Sequence, residues 1–83
     1  MKEMEIVKII WEDAQTLDGF ISHDEAMKTD FVLTETVGFL VGEDKKKVVV
    51  SFINFGDGIT KYFQIIPKGM VKKIIKLKEQ RRE

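Results

Sequence analysis

The segment Ile59–Leu77, ITKYFQIIPKGMVKKIIKL, decides the fold, because it holds two apolar runs joined by a Pro-Lys-Gly corner. Pro67 fixes φ and has no N–H group, so a strand ladder must stop or step aside there. Gly69 can adopt positive φ without steric cost, as a turn or a single 3₁₀ twist needs. The sequence therefore predicts two strands around a tight corner.

The two runs differ in how clearly they indicate secondary structure. Before the corner, alternation predicts a strand with Phe63 and Ile65 on the core face and Tyr62 pointing outward. After the corner, residues 71–77 fit a strand but also fit the i, i+3, i+4 spacing of a helix. We favour the strand, because its β-branched residues suit a pleat and Gly69 is a poor start for a helix.

Composition indicates one small globular domain. The chain has 83 residues, 43% of them hydrophobic and 34% charged, and it contains no cysteine. Those values are typical of globular proteins, and the absence of thiols permits a cytoplasmic setting. No apolar run approaches about 18 residues, and the first residues are too acidic for a signal peptide. We expect a soluble cytoplasmic protein without a membrane partner, a single domain over residues 1–83, with 78–83 as a basic tail that can fray.

Charge is unevenly distributed although the net charge is zero. Residues 12–30 hold six acids and one lysine, which gives −5, and residues 67–83 hold seven bases and two acids, which gives +5. One interpretation is solubility and loose internal complementarity. The other is two oppositely charged binding faces or head-to-tail assembly. The sequence leaves both open.

The rest of the chain predicts three more strands and one short helix. The strands are expected at 4–11, 31–41 and 48–53, from their alternating or two-sided apolar patterns. Within the acidic connection 12–30, Ser22 and Glu25 have the spacing of a capping box, which predicts a helical turn over residues 23–28.

Glycines indicate where the strands bend and turn. Gly38 interrupts the second strand and predicts a bend or bulge near residues 36–38, a device that curls one strand across both sheets of a small barrel. Asp57-Gly58 is the strongest hairpin signal in the chain. Five strands with a long first loop that carries a short helix predict a mainly β protein, a small five-stranded β-barrel.

This order of elements resembles the Src-homology-3 (SH3) type of barrel, and IPKGMVKKI at 66–74 is similar to the short 3₁₀ corner between that family's last two strands. The runs IIWEDAQTLDGF, TVGFLVGEDKK and IIPKGMVKKI together resemble small uncharacterised proteins of bacteriophages and prophages. The resemblance implies an SH3-like barrel and an accessory role in the host cytoplasm. The paired aromatics of a proline-peptide groove are not evident, so peptide binding is not implied. An Sm-like ring is the other five-stranded candidate.

No residue pattern indicates catalysis or metal binding. His23 is the only histidine, and its neighbours Ser22 and Asp24 point in different directions, so the three cannot form a triad. Asp13, Asp18 and Asp24 lack the regular spacing of a calcium loop, and the glycines at 56 and 58 are not followed by the helix of a phosphate loop. We expect neither enzymatic activity nor a cofactor nor a metal.

Five residues are candidates for binding: Trp11, Asp13, Tyr62, Lys68 and Lys72. Trp11, beside Asp13, is either a packing residue of the core or rim, or a stacking platform and interface anchor. Tyr62, with Lys61 beside it and Lys68 and Lys72 near the corner, fits an aromatic and basic patch for a nucleotide or nucleic acid. A long nucleic acid is not expected, because the pI is about 6.6 and the acidic connection would repel it.

The leading hypothesis is a non-enzymatic accessory binding module that acts through a protein–protein interface, against a host protein or by assembling on itself. The alternatives are a sequestrant of a small nucleotide signal, with its pocket at a subunit interface, and an RNA-binding Sm-like ring. We expect a homo-oligomer, because strands that are apolar on both faces need a second cover. The internal alternative is cover by apolar residues of the acidic connection, namely Leu17, Phe20, Ile21 and Met27.

Overall fold

The computed structural model describes residues 4–78 as one antiparallel sheet with a short helix beside it. The strands follow the order β4-β3-β2-β1-β5, and the sheet is not closed. The mainly β class is confirmed. The elements are β1 Ile6–Asp13, α1 His23–Lys28, β2 Val32–Glu43, β3 Lys47–Gly56, β4 Ile59–Pro67, a 3₁₀ turn Lys68–Met70, and β5 Val71–Leu77.

The core is small and lies on one face of the sheet. Alternate residues of β1 point into it, which confirms the apolar face expected for the first strand. Residues from β3 and β4 complete it. The fully or nearly fully buried apolar side chains are Val7, Ile9, Trp11, Val48, Val50 and Ile66, with Leu40, Met70, Val71 and Ile74 packed against them.

Strand β2 changes partners along its length. Its residues 32–39 pair with β1, and its last part, from Phe39 to Glu43, pairs with β3. A register shift against β3 lies between Leu40 and Gly42, slightly beyond the bend expected at 36–38. One strand therefore serves both halves of the sheet.

The local turns match the sequence expectations. Ser22 caps α1, and its hydroxyl accepts a hydrogen bond from the Glu25 N–H at 3.1 Å. Asp57 and Gly58 join β3 to β4 with φ of 53° and 78°. Positive φ at both central residues is the geometry of a type I′ hairpin turn.

The face assignment for β4 was wrong. Phe63 and Ile65 point away from the core and are more than half exposed, whereas Ile66 is fully buried. This part of β4 is apolar on both faces, so alternation alone cannot select the inner one. The ladder with β3 selects it, because Ile66 lies opposite the buried Val48. Gln64 then also faces inward, where its side chain has a hydrogen-bond partner.

The reason given for Gly69 was also wrong. The residue lies in the 3₁₀ turn without positive φ, and a Cβ built there would meet nothing within 4 Å. The corner itself is confirmed, as is the strand at 71–77. Of the tail expected to fray, residues 79–83 lie outside the described range.

Candidate interaction surface

Strands β2 and β3 separate from each other beyond the pair Phe39–Ser51. Within residues 4–78, the segment 32–38 of β2 is paired only with β1, and the segment 52–56 of β3 is paired only with β4. We call these two open edges the fork. The part of the β3–β4 hairpin beyond β2, residues 52–62, is the projecting hairpin. The separation of the two strands leaves two rows of backbone N–H and C=O groups, one on each edge of the fork, without a strand partner inside the sheet.

A buried polar chain lies beside the fork. The Trp11 indole N–H donates to the Thr36 hydroxyl at 3.1 Å, and that hydroxyl donates to the Gln64 side-chain oxygen at 3.1 Å. These residues belong to β1, β2 and β4, so the chain of bonds joins three strands. It satisfies polar groups that would otherwise be costly to bury.

The point where the strands separate is tightly built. A Cβ on Gly38 would lie 2.8 Å from the Ser51 carbonyl oxygen, so glycine is what lets β3 approach β2 so closely. Ser51 is fully buried, and its hydroxyl has no hydrogen-bond partner among the described residues. A buried, unpaired hydroxyl is destabilising, which marks this point as a place where the fold tolerates strain.

Large apolar side chains are exposed on both sides of the fork and along the projecting hairpin. The acidic connection contributes little cover, since its Phe20 and Met27 are almost entirely exposed and α1 buries no residue. Of the four residues that the sequence offered as internal cover, only Leu17 and Ile21 are more than half buried, at 39% and 37% exposure. The exposed apolar side chains of this surface are Val32, Leu33, Val37, Phe52, Ile53, Phe55, Ile59, Tyr62 and Phe63.

Charges near this surface are mostly compensated within the chain. Glu35, the only charged residue of the 32–38 edge, pairs with Lys8 at 3.2 Å. The projecting hairpin carries only Asp57 and Lys61. The surface is therefore apolar and close to neutral, and it offers little attraction to a strongly charged partner.

Three of the predicted binding residues lie together at the end of β1. Trp11 is opposite Val71, the first residue of β5, and Lys72 pairs with Glu12 at 3.0 Å. Asp13 follows, and its carboxylate accepts a hydrogen bond from the Ala14 N–H. Trp11 is only 6% exposed, which fits the packing interpretation of its indole.

The other two predicted residues lie apart. Tyr62 is exposed on the projecting hairpin, has φ of 59°, and carries the Lys61 amine 5.0 Å from its ring centroid. Lys68 follows six residues later, about 20 Å along a strand, and pairs with Glu43 at 2.7 Å. The cation beside Tyr62 is therefore Lys61, and the structure does not bring Lys68 to it.

The β2–β3 turn holds the one carboxylate with a clearly altered acidity among the described groups. Hydrogen bonds from the Lys47 side chain and from the backbone N–H groups of Lys46 and Lys47 lower the pKa of Asp44 to about 2. The group is exposed, and these hydrogen bonds stabilise the turn locally.

An open depression of about 220 Å³ lies along the end of β2, below the roughly 300–1,000 Å³ of ligand pockets. Among residues 4–78, no group of three or more metal-binding side chains is assembled. Across the same residues, no helix has the length and apolar character needed to cross a membrane.

Sequence reasoning missed the polar residues that lie beside the fork, namely Thr36, Gln64 and Ser51. Thr36 and Gln64 are polar residues at inward positions of largely apolar strands, and that interruption is a signal for a buried hydrogen bond. To find it, one must know which face of β4 points inward, and the alternation of β4 did not show that.

Compared with protein-family models, curated proteins and solved structures, the chain shows no significant match to any family, protein or structure.

Proposed function

We propose that this protein is a non-enzymatic binding module that contacts other proteins through the projecting hairpin and the fork. The observation that carries the proposal is the quantity of apolar surface left open there, compared with a core of six buried apolar side chains among residues 4–78. Contiguous apolar patches of this kind mark protein contact sites in soluble proteins. A host protein, or the chain itself, would cover it.

The accessory role is supported by the resemblance of three sequence runs to small phage and prophage proteins. The finer fold belongs to the same proposal. The strand order, the 3₁₀ turn before β5 and the pairing of β2 with both β1 and β3 support an SH3-like barrel. Binding by surface complementarity is supported by the open apolar surface of the projecting hairpin and the fork.

The test compares one hairpin variant with one matched variant elsewhere. Ile59→Glu places a charge on an exposed apolar residue of the projecting hairpin, and Met27→Glu does the same on α1. A host protein captured by the wild type and by Met27→Glu, but lost with Ile59→Glu, would then be purified and titrated directly. If no host protein distinguishes the wild type from Ile59→Glu, the hairpin is not the contact surface for a host partner.

A second candidate is binding of a small nucleotide at Tyr62. Its exposed ring with Lys61 near one face leaves the other face available for stacking on a base. Titration with a panel of mononucleotides and cyclic dinucleotides, followed by calorimetry, measures this directly. Binding that disappears with Tyr62→Ala supports the sequestrant hypothesis, and no heat from any nucleotide rejects it.

A further inference from the structure

The outer margins of the sheet are protected against pairing with another strand. Strand β4 has positive φ at Tyr62 and ends at Pro67, both of which interrupt a ladder. Strand β5 presents the exposed lysines Lys72, Lys73 and Lys76. Bulges, proline and lysine are the usual devices that keep an edge strand from adding a neighbour.

The fork has no proline and no lysine, although β3 has a bulge between Asn54 and Gly56 at the far end of its open edge. Its 32–38 edge carries the exposed Leu33 and Val37, and its only charge, Glu35, is already paired with Lys8. Its 52–56 edge has no charged residue and no proline. Two edges without proline or lysine, inside a sheet whose outer margins carry both, are suited to accept strands.

The surface of the chain is larger than a compact monomer requires. It measures 7277 Å², against about 5,100 Å² expected for a compact protein of 9.6 kDa. Even if the eight residues outside the described range count as fully extended chain, about 1,000 Å² of the excess remains. The radius of gyration is 16.5 Å, against about 12 Å for a compact chain of this length. The excess includes the connection 14–31, all of whose residues are exposed, as well as the fork, and it is of the order of the roughly 800 Å² that each partner buries in a standard interface.

We propose that a second copy of this chain fills the fork, so that the 52–56 edge of each copy pairs with the 32–38 edge of the other about a two-fold axis. An extended peptide would pair with one edge and leave the other open, whereas a second copy supplies both edges at once. The neutral, apolar character of both edges fits a partner of the same kind. The proposal rests on the proposed function, because it names the partner of the same surface.

Analytical ultracentrifugation of three variants tests the pairing. Leu33→Lys and Phe55→Lys place lysine on the two edges, and Ile65→Lys places it on β4 outside the fork at a closely matched exposure, 67%, 64% and 64% respectively. We expect a wild-type dimer at about 20 µM, a dissociation constant raised at least about tenfold by either fork variant, and a change below about threefold with Ile65→Lys. Circular dichroism verifies that each variant is folded.

Hydrogen exchange provides a readout of the backbone itself. In the dimer, amides within 32–38 and 52–56 should exchange slowly, and dilution or either fork variant should make them exchange faster. A wild-type monomer at about 100 µM overturns the proposal. A dimer that is as sensitive to Ile65→Lys as to the fork variants, or that leaves these amides unprotected, overturns it equally.

The two proposals fail in different ways. If the chain is a monomer but Ile59→Glu still abolishes capture of a host protein, the pairing is wrong and the binding module stands. If the chain is a fork-paired dimer that captures no host protein, self-association stands and the host partner is wrong.

Discussion

The two ends of the sheet use similar residues with opposite results. Where β2 lies against β3, alternate apolar residues such as Val48 and Val50 are fully buried. A few residues further along β3, Phe52 and Phe55 are about half exposed or more. The change coincides with the loss of the neighbouring strand after Ser51. Hydrophobic content therefore does not decide burial here, because the facing layer does.

The comparison shows that an apolar strand can belong to two different surfaces. Strand β3 is a core strand over its first half and an open edge over its second half. Its register with β4 is nevertheless constant from Lys47 to Asn54. Strands with apolar residues on both faces predict that other parts of the structure must bury them. The fold determines which of these residues are left exposed.

The largest expected effect separates two neighbouring residues of β4. Ile66→Ala should lower the free energy of unfolding by about 2–5 kcal/mol, because its side chain is fully buried in the core. Ile65→Ala should change it by no more than about 0.5 kcal/mol, since that side chain is 64% exposed. Chemical denaturation followed by the fluorescence of the single tryptophan measures both. Equal costs would show that the two faces of β4 are not distinguished as described.

The next effect tests the boundary between the two ends. Gly38→Ala should destabilise the fold by about 1–3 kcal/mol, in the upper part of that range, because the new Cβ meets a backbone oxygen that cannot move independently. Gly42→Ala is the matched control on the same strand, since a Cβ there meets nothing within 4 Å. Thermal melting of the pair decides the point, and a neutral Gly38→Ala would mean that β2 and β3 are not in close contact.

A smaller effect concerns the polar chain that connects the packed end to the fork. Thr36→Val removes the acceptor of the buried Trp11 N–H and should cost about 1–2 kcal/mol. Thr34→Val is the control, because its hydroxyl bonds only to a nearby backbone carbonyl. Urea denaturation gives the difference, and a shift in the emission maximum should accompany Thr36→Val alone. Identical results for the two variants would show that the Trp11–Thr36–Gln64 hydrogen bonds do not contribute to stability.

The smallest effect is at the turn of the packed end and depends on pH. The pKa of Asp44 falls from an ordinary value of 3.8 to about 2 on folding, chiefly through the Lys47 side chain. A depressed carboxyl pKa stabilises the fold above about pH 4, and this contribution is lost as the pH falls towards 2. The melting temperature of Asp44→Asn should therefore lie below that of the wild type at neutral pH and converge with it near pH 2. A constant difference across that range would contradict the assignment.

Much of the fold was predictable because it depends on local chemistry. The Asp57-Gly58 turn, the Ser22 cap and the alternation of β1 each follow from a few adjacent residues. The faces of β4 were not predictable, since Phe63 to Ile66 is apolar on both sides and only the ladder with β3 chooses between them.

The candidate site was less predictable than the fold. Tyr62 was expected to be exposed with Lys61 beside it, and it is, but Lys68 lies apart and pairs with Glu43. The fork beside Tyr62 has no signature in the sequence. An open edge arises where two strands stop pairing with each other. That event is set by the path of β2 and by the close approach at Gly38, not by composition.

The pairing of β5 with β1 has a consequence for how the protein is made. Strand β1 is synthesised first, yet its partner Val71–Leu77 leaves the ribosome only after all the other strands. Contacts between such distant segments are slow to form, because the intervening chain must first be ordered. Until then Val7 and Ile9 lack the Ile74 side of their core and stay open to unwanted contacts. Until Val71–Leu77 has emerged from the ribosome and paired with β1, we therefore expect this protein to depend on chaperones, whichever single hairpin has already folded.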